Sequence, residues 1–246
     1  MEPREYRVMA EVEDSHWWFL GLRELTFRSI RRYCPDGARL LDAGCGTGGL
    51  LRYLRGRSRT LRACGVDLSP DAIRYLRGAA SLLVARASVE GLPFRDGSFD
   101  AVASLDVLYI EGVDDRQALR EFFRVLKPGG VLALNLPAFE FMRSAHDRAI
   151  HTRHRYRRPE VVRLLQEAGF SVLKATYWNA LLFPLICLVR LARSREAGEG
   201  TSSDVRKTPG LLNALFLRLL KAENRWVDWS SFPVGTSVFC VGRKEA

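Results

Sequence analysis

The segment from Leu40 to Gly49 constrains the fold more than any other part of the chain. It reads Leu-Leu-Asp-Ala-Gly-Cys-Gly-Thr-Gly-Gly, so an apolar strand ends near Asp42 and leads into a turn with four glycines. Glycine adopts left-handed backbone angles and lets a ligand reach main-chain atoms that a side chain would cover. A helix beginning near Thr47 would direct its unpaired amides into this turn. The pattern predicts a strand–turn–helix unit that binds a nucleotide-like cofactor.

The glycine spacing is compatible with two kinds of cofactor. Gly44, Gly46 and Gly49 satisfy G-x-G-x-x-G, the fingerprint of nicotinamide dinucleotide sites. The carboxylate of Asp42 argues against this ligand, because it would repel a pyrophosphate. It suits the ammonium group of a methionine-type ligand instead. A nicotinamide-dependent oxidoreductase on the same fold is therefore the less favoured alternative.

The same turn resembles motif I of the class I S-adenosylmethionine-dependent methyltransferases, which reads D-x-G-x-G-x-G. Further landmarks follow in that family's order over residues 38–136, namely Cys64–Pro70, Ala87–Phe94, Phe99–Val102 and Val125–Leu132. The chain is most similar to type 11-like bacterial small-molecule methyltransferases. This resemblance implies that S-adenosyl-L-methionine is the cofactor and that Asp67 accepts its ribose hydroxyls. Ser88 stands where the family often has an aspartate that accepts from the adenine amino group.

The resemblance also implies a set of cofactor-binding residues at the strand ends and in the N-terminal segment. The set comprises His16, Trp17, Asp42, Gly44, Cys45, Gly46, Thr47, Asp67, Leu68, Ser88, Val89, Leu105 and Asp106. In similar methyltransferases a leading helix folds over the cofactor, and here Ser15 is its expected N-cap. Trp17 could then face the sulfonium, and His16 could reach the methionine carboxylate. Alternatively, these aromatic residues only attach the helix to the body of the protein.

Apolar runs alternate with segments of helical periodicity, which predicts an α/β fold: a Rossmann-like, doubly wound sheet of seven mostly parallel strands. The predicted strands are 38–43, 62–67, 82–87, 99–106, 130–136, 170–176 and 236–242. The predicted helices between them are 48–56, 70–78, 114–126 and 159–168. We expect an N-terminal helical lid, a cofactor-binding core, a helical insertion and a last core strand, at 1–35, 36–176, 177–235 and 236–246.

The segment after the fifth predicted strand contains three of the four histidines, within residues 146–154. It lies where ligands bind in open α/β folds. It resembles a bacterial subgroup with a HWWF-like N-terminus, a His-Asp pair and an Arg-Tyr ending. We interpret His146 and His151 as candidate general bases, with Asp147 orienting one of them. A surface loop rich in histidine and arginine is the alternative, and no metal site is predicted because the spacing lacks a matching Cys or Glu.

Four aromatic residues are candidates for the acceptor-binding wall, namely Tyr109, Phe139, Tyr156 and Trp178. We expect methyl transfer to an oxygen or nitrogen of a small or medium apolar metabolite, in biosynthesis. One alternative is a lipid-linked or quinone-like acceptor at the membrane surface. Another is a non-catalytic cofactor-binding partner subunit, because Tyr109-Ile110 stands where the family often has Glu-His.

The segment 177–235 contains two apolar runs, 179–189 and 211–220, each too short to span a bilayer. It could form a substrate lid, a homodimer interface or a peripheral membrane contact. The net charge of +10 comes mostly from dispersed arginines, and we expect no nucleic-acid partner because the chain shows no nucleic-acid-binding motif. The five cysteines form no CxxC motif and the first residues are charged, so we expect a cytoplasmic protein, with membrane association left open.

Overall fold

The computed structural model describes residues 3–76, 82–196 and 208–245, which form a sheet flanked by helices. The strands are β1 Arg39–Ala43, β2 Arg62–Asp67, β3 Leu83–Arg86, β4 Phe99–Leu105, β5 Leu126–Pro137, β6 Phe170–Trp178 and β7 Ser237–Lys244. The α-helices are α1 Pro3–Val12, α2 Trp17–Tyr33, α3 Gly49–Arg57, α4 Pro70–Leu76, α5 Asp115–Val125, α6 Ala145–Ala149, α7 Arg158–Glu167, α8 Phe183–Glu196 and α9 Gly210–Val227.

The sheet has the strand order β3-β2-β1-β4-β5-β7-β6. The strands from β1 to β5 pair in parallel, whereas β7 lies antiparallel between β5 and β6. Successive strands are added on one side of β1 up to β3 and on its other side from β4 onward. The carboxyl ends of the strands at such a switch point form a ligand-binding crevice. The predicted Rossmann-like, mostly parallel seven-stranded sheet is confirmed.

Both faces of the sheet are covered, which explains why the strands are continuous apolar runs. On one face, Leu119 and Phe122 of α5 and Leu165 of α7 pack with β1, β4 and β5. On the other face, Leu25 of α2 and Leu220 of α9 pack with Trp178. Burying each such leucine contributes roughly 1.5–3 kcal/mol, so the two apolar layers fix the sheet between the helices.

The predicted elements of the core are present, with differences at their ends. Strand β5 begins at Leu126 rather than at residue 130, because Leu126 already pairs with Phe99 of β4, ahead of a bulge after which Val131 pairs with Ala101. The two apolar runs of the predicted insertion form α8 and α9. Helix α1 was not predicted. Residues 77–78 of the second predicted helix lie outside the described residues.

Candidate functional site

The turn after β1 requires glycine for two separate reasons. Gly44, Gly46 and Gly48 have φ angles of +87°, +53° and +85°, a region that other residues rarely adopt. A Cβ at Gly44 would also lie 2.2 Å from Val107, and one at Gly48 would lie 2.2 Å from Leu76. The loop therefore presents a tightly packed, bare backbone at the carboxyl end of β1.

Asp42 lies beside this turn and is almost completely buried, with 2% of its surface exposed. Its Oδ2 has no hydrogen-bond partner within the described residues. Burial raises the pKa of Asp42 to about 8, while Arg23 opposes the increase and Asp67 adds to it. Buried polar atoms are nearly always paired in native proteins, so an unpaired carboxylate oxygen beside bare backbone fits a cationic ligand group.

Two further carboxylates lie at the ends of neighbouring strands. Asp67, the last residue of β2, accepts hydrogen bonds from Gly46 N at 2.8 Å and Ser69 N at 2.9 Å. Asp106 follows β4, and both of its oxygens accept from Asn135 Nδ2, at 3.0 and 3.1 Å. Burial raises the pKa of Asp67, and it raises that of Asp106 to about 7. The structure thus brings together the three aspartates that the sequence singled out.

Helix α1 covers this end of the sheet. Tyr6 is buried, and burial together with the nearby Asp67 carboxylate raises the pKa of its hydroxyl. Met9 reaches the glycine turn, where its Cε lies 2.9 Å from the Cβ position that Gly46 leaves empty. Glu5 Oε2 lies 3.8 Å from His146 Nδ1 on the other side of the crevice. The covering element is therefore α1, rather than the helix expected after Ser15.

His16 contacts Thr208, two residues before α9, and Trp17 contacts α9 itself, whereas their place in the cofactor site stays a prediction. His16, not Ser15, caps α2, with its Nδ1 accepting from Trp18 N at 3.3 Å, and its Nε2 lies 3.3 Å from Thr208 Oγ1. Burial lowers its pKa to about 4. Trp17 N donates to Asn213 Oδ1 at 2.9 Å, and its ring packs edge-on against Phe216. The start of α2 is thus held by α9, because their apolar faces pack together.

A buried group of charged residues joins the N-terminal segment to the glycine turn. Glu13 Oε2 accepts from Arg23 Nη2 at 2.5 Å, and Glu13 Oε1 accepts from Arg52 Nη2 at 2.6 Å. The same Oε1 also accepts from Thr47 Oγ1. The roles of Glu13 and Arg23 were not predicted from the sequence. A weak signal was available, because Arg23 occurs among the apolar positions of α2.

The remaining cofactor-site candidates have mixed environments. Ser88 Oγ accepts from Glu90 N at 3.2 Å in a local turn, and Val89 is buried beside it. Leu68 is 60% exposed, whereas Leu105 packs at the end of β4. Cys45 is buried, and burial raises the pKa of its thiol, so it fills space beside Gly65 and is not a nucleophile.

The three proposed catalytic residues, His146, Asp147 and His151, differ in their surroundings and roles. Asp147 is buried, and its oxygens accept from Arg155 Nη1 at 2.6 Å and Ser144 N at 2.7 Å. Burial works to raise the pKa of Asp147, but Arg155 and the Ser144 amide outweigh it and lower the pKa. Asp147 therefore caps α6 and holds Arg155, which corrects its expected role of orienting a histidine. His151 is exposed in a turn, whereas His146 lies beneath α1.

Two of the four expected wall residues are structural, which corrects their assignment to the acceptor site. Trp178 is fully buried and donates from Nε1 to Asn224 Oδ1 at 2.9 Å. Tyr156 is also fully buried, and its hydroxyl donates to Asp115 Oδ2 at 2.8 Å. These side chains belong to the core because the helices packed over them exclude solvent.

Phe139 and Tyr109 lie shortly after β5 and β4, near the carboxyl ends of these strands, and their contact with an acceptor stays a prediction. The Phe139 ring stacks on Tyr177 with centroids 4.8 Å apart and on the exposed Phe141 at 5.4 Å. Burial, with the nearby Asp106 and Asp147, raises the pKa of Tyr109 well above its usual value.

Backbone strain is concentrated in the same region. The described residues other than glycine with positive φ are Asp106, Phe139, His151 and Asn179. Asp106 and Asn179 directly follow β4 and β6, and Phe139 lies two residues after β5, so all three are at the carboxyl ends of strands. Such strain clusters at functional sites, and it marks this edge of the sheet as the site.

The described ranges contain neither a candidate metal site nor a candidate membrane span. There, no three His, Cys, Asp or Glu side chains are arranged to hold a metal ion. None of the helices in those ranges has the length and apolar content that a bilayer span requires.

The chain is similar to known methyltransferases. Residues 41–134 match the family model described as a methyltransferase domain. A probable S-adenosylmethionine-dependent methyltransferase of Mycolicibacterium smegmatis is 29% identical over 171 residues, which are 68% of this chain and 64% of that protein. A ubiquinone/menaquinone biosynthesis C-methyltransferase of Geotalea daltonii is 32% identical over 145 residues, 54% of this chain and 58% of that protein. The aligned part thus spans less than two thirds of these relatives.

Solved structures share the fold at low sequence identity. A methyltransferase solved in complex with the Haloferax volcanii Trm112 methyltransferase activator has a TM-score of 0.62 at 22% identity, covering 99% of this chain and 94% of that chain. Phosphoethanolamine N-methyltransferase 2 of Haemonchus contortus, solved with S-adenosyl-L-methionine, has a TM-score of 0.58 at 18% identity, covering 89% and 52%.

Proposed function

We propose that this chain, which carries a class I S-adenosylmethionine-dependent methyltransferase domain, methylates an oxygen or nitrogen atom of a small or medium apolar metabolite. The observation that carries this proposal is the unpaired, buried Oδ2 of Asp42 beside the bare glycine turn. S-adenosyl-L-methionine, the cofactor of this domain, supplies a methyl group already activated by the sulfonium. The protein must therefore mainly hold donor and acceptor in line, roughly 3–3.5 Å apart.

Each end of the donor has a suitable group in this chain. Asp42 would accept from the methionine ammonium, which needs an acceptor that its own surroundings leave unpaired. Asp67 would accept from the ribose hydroxyls, and its carboxylate is already oriented by the amides of Gly46 and Ser69. Ser88 and Val89 would border the adenine. Burial of these groups excludes water from the donor.

The acceptor side combines an apolar wall with one histidine. The stacked rings of Phe139 and Tyr177, with Tyr109 nearby, favour an acceptor with a flat or apolar body. We infer that His146 removes the proton of the acceptor, because it lies under α1, whereas His151 is exposed. An imidazole is suited to this role near neutral pH.

A membrane-surface acceptor of lipid-linked or quinone-like type is the second candidate. Phe183 of α8 packs against Phe139 with ring centroids 5.9 Å apart, so the apolar wall continues into a helix with exposed leucines. The Geotalea daltonii relative is named for ubiquinone/menaquinone biosynthesis, which agrees with an acceptor of this class. A non-catalytic role beside a protein partner is less favoured. Its support is a structural neighbour that was solved in complex with an activator protein.

The proposal is tested by calorimetry with S-adenosylhomocysteine, followed by an acceptor screen that monitors release of this product. We expect binding by the wild type and turnover on an apolar acceptor. On that acceptor, His146→Ala should lower kcat about 100-fold or more with unchanged product affinity. His151→Ala and the control His154→Ala, whose Nε2 contacts Glu160, should retain turnover.

Three outcomes would contradict these assignments. A folded wild type that binds no S-adenosylhomocysteine but is stabilised by NAD would favour an oxidoreductase. Tight product binding without turnover on any acceptor would favour the partner-subunit alternative. Full turnover by His146→Ala would exclude this residue as the base.

A further inference from the structure

Helix α9 presents an apolar stripe to solvent. Leu211, Leu215, Trp226 and Trp229 are 90%, 50%, 63% and 87% exposed. Their spacing, with Arg218 and Ala222 between them, places them on one side of the helix and of the turn that follows it. We call this stripe the outward face of α9. Large apolar side chains are rarely exposed together in this way unless they contact something.

The opposite side of α9 fixes the orientation of this face. Asn224 is buried, and it accepts from Trp178 Nε1 and donates to Gly21 O, both at 2.9 Å. Glu223 is also buried, and its carboxylate accepts from Ala180 N and Leu181 N at 3.0 Å. The helix cannot rotate to bury its tryptophans without breaking these bonds. The exposure is therefore built into the fold.

The same contacts place a second apolar segment nearby. Glu223 holds the turn that leads into α8, in which Leu185, Leu188 and Val189 are 46%, 66% and 41% exposed. The exposed side chains of α8 up to Arg190 are thus apolar. The apolar surface continues beyond α9.

The charges on α9 indicate what this surface meets. Its exposed charged residues are Arg218 and Arg225, whereas its one acidic residue, Glu223, is buried. The whole chain carries a net charge of +10. Tryptophan and leucine combined with arginine are typical of helices that lie in a bilayer interface and are attracted by anionic lipids.

A second copy of the chain fits this face less well. In a two-fold symmetric dimer the same surface meets itself. Arg218 and Arg225 would then approach the same residues of the other copy. No exposed carboxylate of α9 could neutralise them. An anionic lipid surface neutralises both arginines and accepts the apolar side chains at the same time.

We propose that the outward face of α9 lies flat on an anionic phospholipid bilayer, with Trp226 and Trp229 at the headgroup level and Arg218 and Arg225 near lipid phosphates. Because Phe183 of α8 contacts Phe139, this placement brings the apolar wall of the acceptor site close to the membrane surface. Binding to lipid is independent of catalysis. It can therefore fail or succeed separately from the proposed methyl transfer.

The test is co-sedimentation of the full chain with vesicles of phosphatidylcholine, alone or mixed with phosphatidylglycerol. We expect binding to the mixed vesicles that weakens as salt is added, with a blue shift of tryptophan fluorescence. The double variant Trp226→Ser/Trp229→Ser should reduce partitioning about tenfold or more. Arg218→Gln/Arg225→Gln should abolish the preference for anionic vesicles.

Matched controls test whether vesicle binding depends on the outward face of α9 or only on the overall charge and exposed apolar side chains of the protein. Arg120→Gln/Arg163→Gln removes the same charge from exposed positions of α5 and α7, and Leu83→Ser removes another exposed apolar side chain. Both controls should bind like the wild type, and all variants should unfold at wild-type temperatures. No binding of the wild type to mixed vesicles, equal losses in the controls, or a dimer that the tryptophan variant dissociates would each overturn the proposal.

Discussion

Glu13 and Arg23 form a buried ion pair directly over the start of α3. The pair has an Oε2–Nη2 distance of 2.5 Å. Both side chains lie where a Cβ on Gly49 would be, at 2.2 Å for Glu13 Oε2 and 1.6 Å for Arg23 Nη2. Since Glu13 also bonds Thr47 and Arg52, this pair attaches the end of the covering segment to the glycine turn.

Replacing Glu13 with glutamine should destabilise the protein. The change leaves the buried guanidinium of Arg23 with only the more exposed Asp14 as a counter-charge. We therefore expect a loss somewhat below the roughly 3–5 kcal/mol of buried pairs that lose their sole partner. Urea unfolding measures the loss. Glu11→Gln, at an exposed position of the same segment, is the control and should leave the free energy of unfolding unchanged. Equal stability of the two variants would show that the pair contributes nothing.

Gly49→Ala should be destabilising although alanine favours helices. Its Cβ would displace the ion pair and the bonds to Thr47, and should also weaken binding of S-adenosylhomocysteine. Gly56→Ala is the matched control in the same helix, because a Cβ there meets no atom within 4 Å. It should stabilise the protein by about 0.5–1 kcal/mol. If both variants unfold alike in urea, close packing around Gly49 does not contribute to stability.

Asp42 should make stability depend on pH with a defined sign. Burial raises its pKa from 3.8 to about 8, so the folded state holds the proton more tightly than the unfolded state. The resulting stabilisation is present below the unfolded pKa and is lost as pH rises through the folded pKa. The stability of Asp42→Asn relative to wild type should therefore rise between about pH 4 and about pH 8. Urea unfolding across this range measures the difference in free energy of unfolding between Asp42→Asn and wild type. A difference that does not change with pH would refute the raised pKa of Asp42.

Asp42→Asn, which should stabilise the protein near pH 8, should weaken its binding of the donor. Losing a charge-assisted hydrogen bond to the ammonium should weaken S-adenosylhomocysteine binding by about 10- to 100-fold. Wild-type affinity should rise toward pH 8, because the carboxylate must be ionised, and this rise should be absent in Asp42→Asn. Calorimetry measures both, with the exposed Asp36→Asn as the control. Unchanged affinity in Asp42→Asn would remove Asp42 from the donor site.

The local sequence determined the core of this protein. Hydrophobic periodicity defined the strands and the helices between them, and the positive φ angles of Gly44, Gly46 and Gly48 are what the glycine pattern implied. Asp42 and Asp67 could be placed together because the carboxyl ends of adjacent parallel strands meet at one edge of a sheet. Each of these properties depends on residues that are close in sequence or on a regular repeat.

Only the tertiary structure decided which distant residues meet. Glu13 bonds Thr47, and Asp147 bonds Arg155. Trp17 bonds Asn213 of α9, His16 contacts Thr208 just before that helix, and Trp178 bonds Asn224. No periodicity encodes such pairs, because they depend on how helices are stacked after the sheet has formed. The same stacking buries one side of α9 and exposes its tryptophans. The sequence by itself therefore determined the cofactor turn, whereas packing determined what covers it and which surface remains open.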